Sequence, residues 1–277
     1  MAASKFNIRE SIEGDIPTET FRLELAKIKK HNEGILKRVL SERSYVPLCH
    51  AARLGRTEIV KILLEFGANT RTIDKQLYWA VHAAAAYDNV EVLKLLLAKD
   101  KASITMCNGK GWNPLICALE KTSKNVVTYL LEKHRPECFS ATYMAPWIKP
   151  ETNPMYFAAC HELKANSKGE RYTNIEVVRF LLQNGCPNVY KGEHLVIHAA
   201  RAEPLLNPSG EKVLRNLQNL MENSDPSNSD LLKTKQVINK RLSEISSEVI
   251  KTNLEQVLNY LIVLEKKLAE KGLSVVE

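Results

Sequence analysis

The sequence predicts an all-α solenoid of short helix-turn-helix repeats, and three observations carry that prediction. Arg56-Thr57-Glu58-Ile59-Val60-Lys61-Ile62-Leu63-Leu64 returns 33 residues later as Asn89-Val90-Glu91-Val92-Leu93-Lys94-Leu95-Leu96-Leu97, with Ala51-Ala52 falling on Ala84-Ala85. A self-similar period of this length marks stacked repeats. Proline and glycine punctuate the copies: Pro47, Pro114 and Pro154 sit where a first helical turn tolerates a missing N–H, and Gly67 and Gly185 sit where a helix stops in the left-handed conformation. The composition, 44% hydrophobic and only 6% aromatic, suits a core of Leu, Ile, Val and Ala.

Element by element, residues 1–43 predict a helical N-terminal cap, with Phe21, Leu25 and Ile28 on one stripe and Ile35, Leu36, Val39 and Leu40 following a break at Gly34. Residues 44–222 hold about five repeats. The third has Asn108-Gly109-Lys110-Gly111-Trp112-Asn113-Pro114 as its turn and Val126-Val127-Thr128-Tyr129-Leu130-Leu131 as its second helix. The fourth runs from Asn153-Pro154 to Gly185, and a weaker fifth begins at Leu195-Val196-Ile197-His198-Ala199-Ala200. A polar linker, 223–230, precedes a stretch free of Gly and Pro from Leu231 to Lys271. Its apolar residues form two runs shifted by one, Ile238, Leu242, Ile245, Val249 and then Ile250, Leu254, Val257, Leu261, Leu264, Leu268. Residues 231–272 are therefore a helical hairpin folded near Ser246-Ser247 or a coiled coil that self-associates or binds a partner.

Val46-Pro47-Leu48-Cys49-His50-Ala51-Ala52-Arg53-Leu54-Gly55, with the helix that follows it to Gly67-Ala68-Asn69, resembles an ankyrin repeat. That resemblance implies paired helices with short β-like fingers and a non-enzymatic role in holding protein partners. Carried over by position, it implies partner contacts at Tyr45 and Arg53 in the first copy, Lys75, Gln76, Tyr78 and Tyr87 in the second, and Lys110, Trp112 and Lys121 in the third. The fourth contributes Lys149, Cys160 and His161, and the fifth Tyr190, Lys191 and Arg201; Trp147 in the long finger before the fourth copy is a further expected contact. Tyr45, Tyr78 and Trp112 share one slot in successive copies and would form an aromatic ladder beside a row of lysines. The family commonly uses a histidine of the first helix to hold the neighbouring finger, a role open to His50, His82 and His198. Irregular copies with insertions and a Lys/Asn/Glu-rich tail are also similar in style to ankyrin proteins that intracellular bacteria deliver into host cells.

Two departures stand out. The finger between the third and fourth copies is about six residues longer than its predecessor, and an eleven-residue insertion centred on residues 163–172 divides the fourth copy. A proline-stiffened apolar finger is costly to leave in water, which points to a covering partner.

The net charge of +7 concentrates on the repeats: residues 1–43 carry nine basic against seven acidic residues and residues 224–277 eight of each, leaving +5 between. An acidic protein surface is the expected partner. No basic cluster reaches the density that phosphate tracking needs, which argues against nucleic acid. No catalytic constellation, phosphate loop or zinc spacing is legible, and Cys160-His161, as helix neighbours, point about 100° apart. No cofactor and no metal are expected. Six scattered cysteines read as reduced thiols, and with no signal sequence or membrane span legible the expected location is cytoplasmic. The alternative is a regulatory or targeting part of an enzyme whose catalytic element lies elsewhere.

Overall fold

The computed structural model describes residues 6–14, 16–42, 44–140, 153–160, 163–166, 168–187, 189–190, 193–194, 228–244 and 248–270. They fall into two bodies: residues 1–141 with 164–171, and residues 142–163 with 172–277.

The first body begins with three helices, α1 (Ile8–Glu13), α2 (Thr18–His31) and α3 (Glu33–Ser41), which bury Ile12, Phe21, Leu25, Leu36 and Leu40. The sequence hid α1, which is short and capped by Asn7, whose side chain accepts from the amides of Arg9 and Glu10. The break between α2 and α3 lies at Asn32 and not at Gly34, because the Asn32 side chain accepts from the amide of Ile35 and so starts a new helix. These helices lie against the first repeat: Arg22 pairs with Glu65, and Arg56 donates to the carbonyls of Glu13 and Gly14.

Three helix pairs follow: α4 (Pro47–Leu54) with α5 (Thr57–Glu65), α6 (Ala80–Ala86) with α7 (Val90–Lys99), and α8 (Pro114–Glu120) with α9 (Lys124–Lys133). The first helices pack side by side, as do the second helices. Every residue of α6 is buried, and its run of alanines is what lets two neighbours approach it closely. The second helices bury Val60 and Leu63, then Val92, Leu93, Leu96 and Leu97, then Val126, Val127, Leu130 and Leu131. Each pair turns through a left-handed residue, Gly55 (φ 70°), Asp88 (φ 61°) and Thr122 (φ 53°). A Cβ on Gly55 would stand 2.6 Å from the Asn89 side chain, so this turn also needs glycine for space.

The turns are stitched to one another. The Asn89 amide donates to the carbonyls of Ala52 and Arg53, at 2.8 and 2.9 Å, and Ser123 Oγ donates to the carbonyl of Ala86 at 3.0 Å. Asp88 Oδ1 accepts from the amide of Val126, capping α9 from the preceding repeat. At the other end of the helix pairs, His82 Nε2 lies 3.0 Å from the carbonyl of Met106, the family use of that histidine. Cys49, 33 residues earlier, holds the equivalent place, its Sγ 3.6 Å from the carbonyls of Thr72 and Tyr78. The neighbouring His50 instead faces Tyr45 and Glu13.

Part of the long finger between the third and fourth copies is helix: α10 (Arg135–Ser140) follows α9, and the carbonyl of Cys138 accepts from Asn113 Nδ2 at 2.9 Å. The remainder, with Trp147 and Lys149, lies outside the described residues. Cys49, Cys117, Cys138 and Cys186 are buried without disulfide partners, and burial pushes the Cys138 and Cys186 thiols up to about 12.

In the second body, α11 (Pro154–Cys160) packs on α12 (Asn174–Gln183), which opens with a reciprocal cap between Thr173 and Glu176 and ends before Gly185 at φ 72°. Val189–Tyr190 (β1) pairs antiparallel with Glu193–His194 (β2). The fifth copy from Leu195 lies outside the described residues. The tail is two helices, α13 (Asn228–Glu244) and α14 (Glu248–Glu270), lying against each other and burying Leu231, Ile238, Leu254 and Leu261. The first starts at Asn228, within the stretch whose composition reads as linker.

Leu96 is 1% exposed, so Leu96→Ala should cost about 2–4 kcal/mol, checked by the midpoint of chemical denaturation. His82 gives a pH signature. Burial lowers its pKa from 6.5 to about 4, so the unfolded chain binds the proton that the folded chain refuses. Its contribution is complete above pH about 6.5 and is lost as pH falls toward about 4. The loss approaches roughly 3 kcal/mol, at ~1.4 kcal/mol for each tenfold change in proton affinity. A His82→Gln chain should show a flatter stability profile across that window in denaturation series at stepped pH.

Candidate partner-binding face

The finger tips are built by one recurring turn. Asp74 Oδ1 accepts from the amides of Gln76 and Tyr78, and the Asp74 amide donates to the carbonyl of Tyr78. Asn108 does the same with Lys110 and Trp112, and Asn166 with Lys168 and Glu170. The fourth residue of each turn has positive φ: Leu77 at 65°, Gly111 at 80° and Gly169 at 78°. Leu77 is the exception in chemistry, since a bulky side chain is strained there by roughly 1–2 kcal/mol. Its side chain lies across Gly109, where an added Cβ would meet Leu77 Cβ at 2.7 Å, and its carbonyl accepts from the Gly109 amide at 3.0 Å. The residue is nevertheless 45% exposed.

The third turn belongs to the insertion in the fourth copy. Residues 164–166 and 168–171 fold back on the third repeat: Lys164 N donates to the carbonyl of Glu120 and Thr122 Oγ1 donates to the carbonyl of Lys164 at 2.9 Å. Lys124 and Glu170 lie 3.6 Å apart. The insertion therefore makes, on the third repeat, the kind of loop-to-loop bond that each repeat makes on its predecessor.

Between the second and third fingers lies a recess of about 410 Å³. Lys75, Lys110, Lys121 and Lys164 line it, against a single carboxylate, Glu120. Glu120 is 3% exposed; Oε1 is 2.7 Å from Lys164 Nζ, and Oε2 has no hydrogen-bond partner among the described residues. Lys110 Nζ stands 4.7 Å from the Trp112 ring and 5.6 Å from the Tyr78 ring.

The expected contact residues divide. Lys75, Gln76, Tyr87 and Lys110 are exposed, and Lys121 is half-buried on the same recess. Arg53 is pinned, its Nη2 2.8 Å from Asp74 Oδ2 and its guanidinium over the exposed Tyr87 ring at 5.5 Å. Tyr78 is not an exposed contact: it is 5% exposed and packs with Ala86, Cys117 and the half-buried Trp112 of the next finger. Tyr45 is half-buried with a buried hydroxyl, its ring 5.8 Å from the Arg9 guanidinium of α1. The expected ladder of exposed aromatics is thus a packed seam, because each ring is covered from the neighbouring element. Tyr190 lies in β1, and its side chain is outside the described residues, as are His161, Lys191 and Arg201. Leu77, Glu120 and Lys164 escaped the sequence reading; the repeated Asn-x-Lys-Gly at 108–111 and 166–169 was the available signal for the last.

Stacked helix pairs joined by hydrogen-bonded fingers define a helical repeat protein. The family model for ankyrin repeats matches three overlapping stretches, residues 23–106, 48–142 and 82–191, which together cover more than half of the chain. The chain belongs to the ankyrin-repeat family. It is 30% identical over 80 residues to the probable 26S proteasome regulatory subunit p28 of Saccharomyces cerevisiae, covering 29% of this chain and 35% of that protein. It is 29% identical over 87 residues to Rabankyrin-5 of Mus musculus, covering 31% of this chain and 7% of that protein. The chain thus spans about a third or less of these relatives. Among solved structures, the ankyrin repeat domain of Bcl-3 aligns over 87% of this chain and 99% of its own, with a TM-score of 0.46 and 18% identity. No helix among the described residues is long and apolar enough to cross a membrane.

Removing Lys164 leaves Glu120 as an uncompensated buried carboxylate, discounted because Lys164 itself is 56% exposed. Lys164→Met should therefore destabilise the chain by about 1–2 kcal/mol, and adding Glu120→Gln should recover most of it, read as a double-mutant cycle in denaturant.

Proposed function

We propose that the chain is a non-enzymatic adaptor that holds a protein partner on the face formed by the second and third fingers and the ends of α6 and α8. The observation that carries this reading is the recess itself: four lysines gather around one buried carboxylate, beside exposed Leu77 and Tyr87. Excess positive charge beside rigid apolar area fits a partner with acidic groups around an apolar contact. The strained and exposed Leu77 supports it, since a glycine would serve the turn alone. In this reading α1, α2 and α3 cap the first repeat, giving the array the polar end that stacked repeats need. A tail that self-associates or engages a second protein is the accompanying reading, favoured by exposed Leu232, Ile262 and Val263 on α13 and α14. A host cytosol is the setting that the resemblance to delivered bacterial ankyrin proteins implies.

The test is binding kinetics with a captured partner. Tyr87→Ala should cost on the order of 2 kcal/mol in affinity through faster dissociation, while Lys110→Glu should chiefly slow association and weaken its salt dependence. Unaltered kinetics in both variants would move the contact to the helices of the tail.

A further inference from the structure

The recess between the second and third fingers continues beyond them. A second recess, of about 660 Å³, is also lined by Tyr87 and Lys121, so the two adjoin along those residues. It lies between the turns of the helix pairs, with Asp88, Lys124 and Asn125, and the insertion, with Asn166, Lys168 and Glu170. Lys164 places the insertion on the first recess as well, so one short segment borders both. That border is firmly built. Asn166 Oδ1 holds its tip by accepting from the amides of Lys168 and Glu170, and the backbone of Lys164 is bonded to Glu120 and Thr122.

The acids along this groove already have partners. Asp88 Oδ1 accepts from the amide of Val126 at 2.9 Å and Oδ2 from Asn125 Nδ2 at 2.8 Å. Glu170 accepts from Asn166 Nδ2 at 2.9 Å and lies 3.6 Å from Lys124, and Glu120 is taken by Lys164. Lys75, Lys110 and Lys121 form no ion pair with a described residue, and Lys168 meets Glu170 only beyond ion-pair distance. Uncompensated cations are thus spread along the groove: Lys75 and Lys110 in the first recess, Lys121 at the junction and Lys168 in the second. Charge spread in this way suits a chain that carries the opposite charge at intervals. Leu77 and Tyr87 are the exposed large apolar side chains along it, too few for an amphipathic helix, which seats a continuous apolar stripe. A phosphodiester backbone would set a charge against Asp88 and Glu170 at every step, whereas a peptide can place neutral residues there.

We propose that the fingers and the insertion together form one groove for a single extended acidic segment of a protein partner, its carboxylates answering Lys75 and Lys110 at one end, Lys121 beside Tyr87 in the middle and Lys168 at the other. This rests on the partner face proposed above and deepens it, because the face then continues past Tyr87 and the insertion becomes part of the recognition surface. All of the groove belongs to the first body. Tyr87 suits the middle position, since the Arg53 guanidinium 5.5 Å from its ring steadies it while it stays exposed. An extended chain turns successive side chains to opposite sides, so acids at alternate positions face the lysines together.

The experiment is fluorescence anisotropy of labelled probes titrated with the full chain at low ionic strength. The probes are a peptide of alternating Glu and Ser with a central Leu, the same peptide with Gln for every Glu, and an oligothymidylate of equal charge. Saturable binding of the acidic peptide, weakening as salt is added, is expected, with none for the Gln peptide. Lys110→Glu and Lys168→Glu should each weaken it about tenfold, with the thermal midpoint little moved because both side chains are exposed. Lys37→Glu, on the exposed face of α3 and away from the groove, makes the same change in net charge and should leave binding unaltered. Loss confined to Lys110→Glu would end the contact at the fingers, overturning this inference while the partner face stands; no effect of either groove variant removes both. The inference also falls if the acidic peptide shows no saturable binding, if oligothymidylate binds as tightly, or if Lys37→Glu costs as much as Lys168→Glu.

Discussion

A pair of helices only seven to ten residues long cannot bury its own apolar surface, and the rest of the first body follows from that constraint. Each pair must lend one face to the pair before it and one to the pair after. The alanines of α6 set how closely this happens, since a bulkier residue at a position such as Ala83, Ala84 or Ala85, all fully buried, would push the neighbouring first helices apart. Once the spacing is fixed, the turns fall into register, and Asn89 and Ser123 reach carbonyls at the ends of the preceding first helices. Those bonds satisfy groups that a helix end otherwise leaves unmet. The fingers, and with them the proposed partner face, inherit their spacing from the same contact.

The features legible in the sequence were those that repeat. Helix starts at Pro47, Pro114 and Pro154 and stops near Gly67 and Gly185 depend on local backbone chemistry, which a single residue type announces. Burial of Leu96 follows from its place in a periodic stripe. Features decided by a neighbour were hidden. Tyr78 occupies a finger slot whose burial depends on the next repeat, since Cys117, Trp112 and Lys110 pack over it. The break at Asn32 was misplaced because a glycine draws attention where an asparagine side chain makes the new cap. Leu77 carried no sign of its left-handed backbone, the residue least suited to that conformation standing where its two counterparts are glycine.

The insertion in the fourth copy shows that repeat chemistry can be reused outside its period. Loop length costs little by itself, so an extra segment persists easily if its backbone groups find partners. Here they do so by repeating the finger solution: Asn166 folds its turn as Asn108 does, and Lys164 offers an amide and a carbonyl to the third repeat. The insertion thus becomes part of the first body, and one wall of the recess.

Electrostatics then links that insertion to the proposed partner face. Lysines 75, 110 and 121 would repel one another across an open recess, and a fourth from the insertion would add to the strain. Glu120 answers this from below. Its carboxylate is buried, so its attraction is screened less than that of a surface acid, and it pairs with Lys164 at 2.7 Å and not with the other three lysines. Lys110 is held separately, by the faces of Trp112 and Tyr78, which accept a cation without neutralising it. The fold therefore spends the one buried acid among the described residues on the lysine that anchors the insertion and fixes another lysine with rings. It keeps a positive face that is ordered before the proposed partner would arrive, and ordering in advance is what would let charge complementarity appear as affinity.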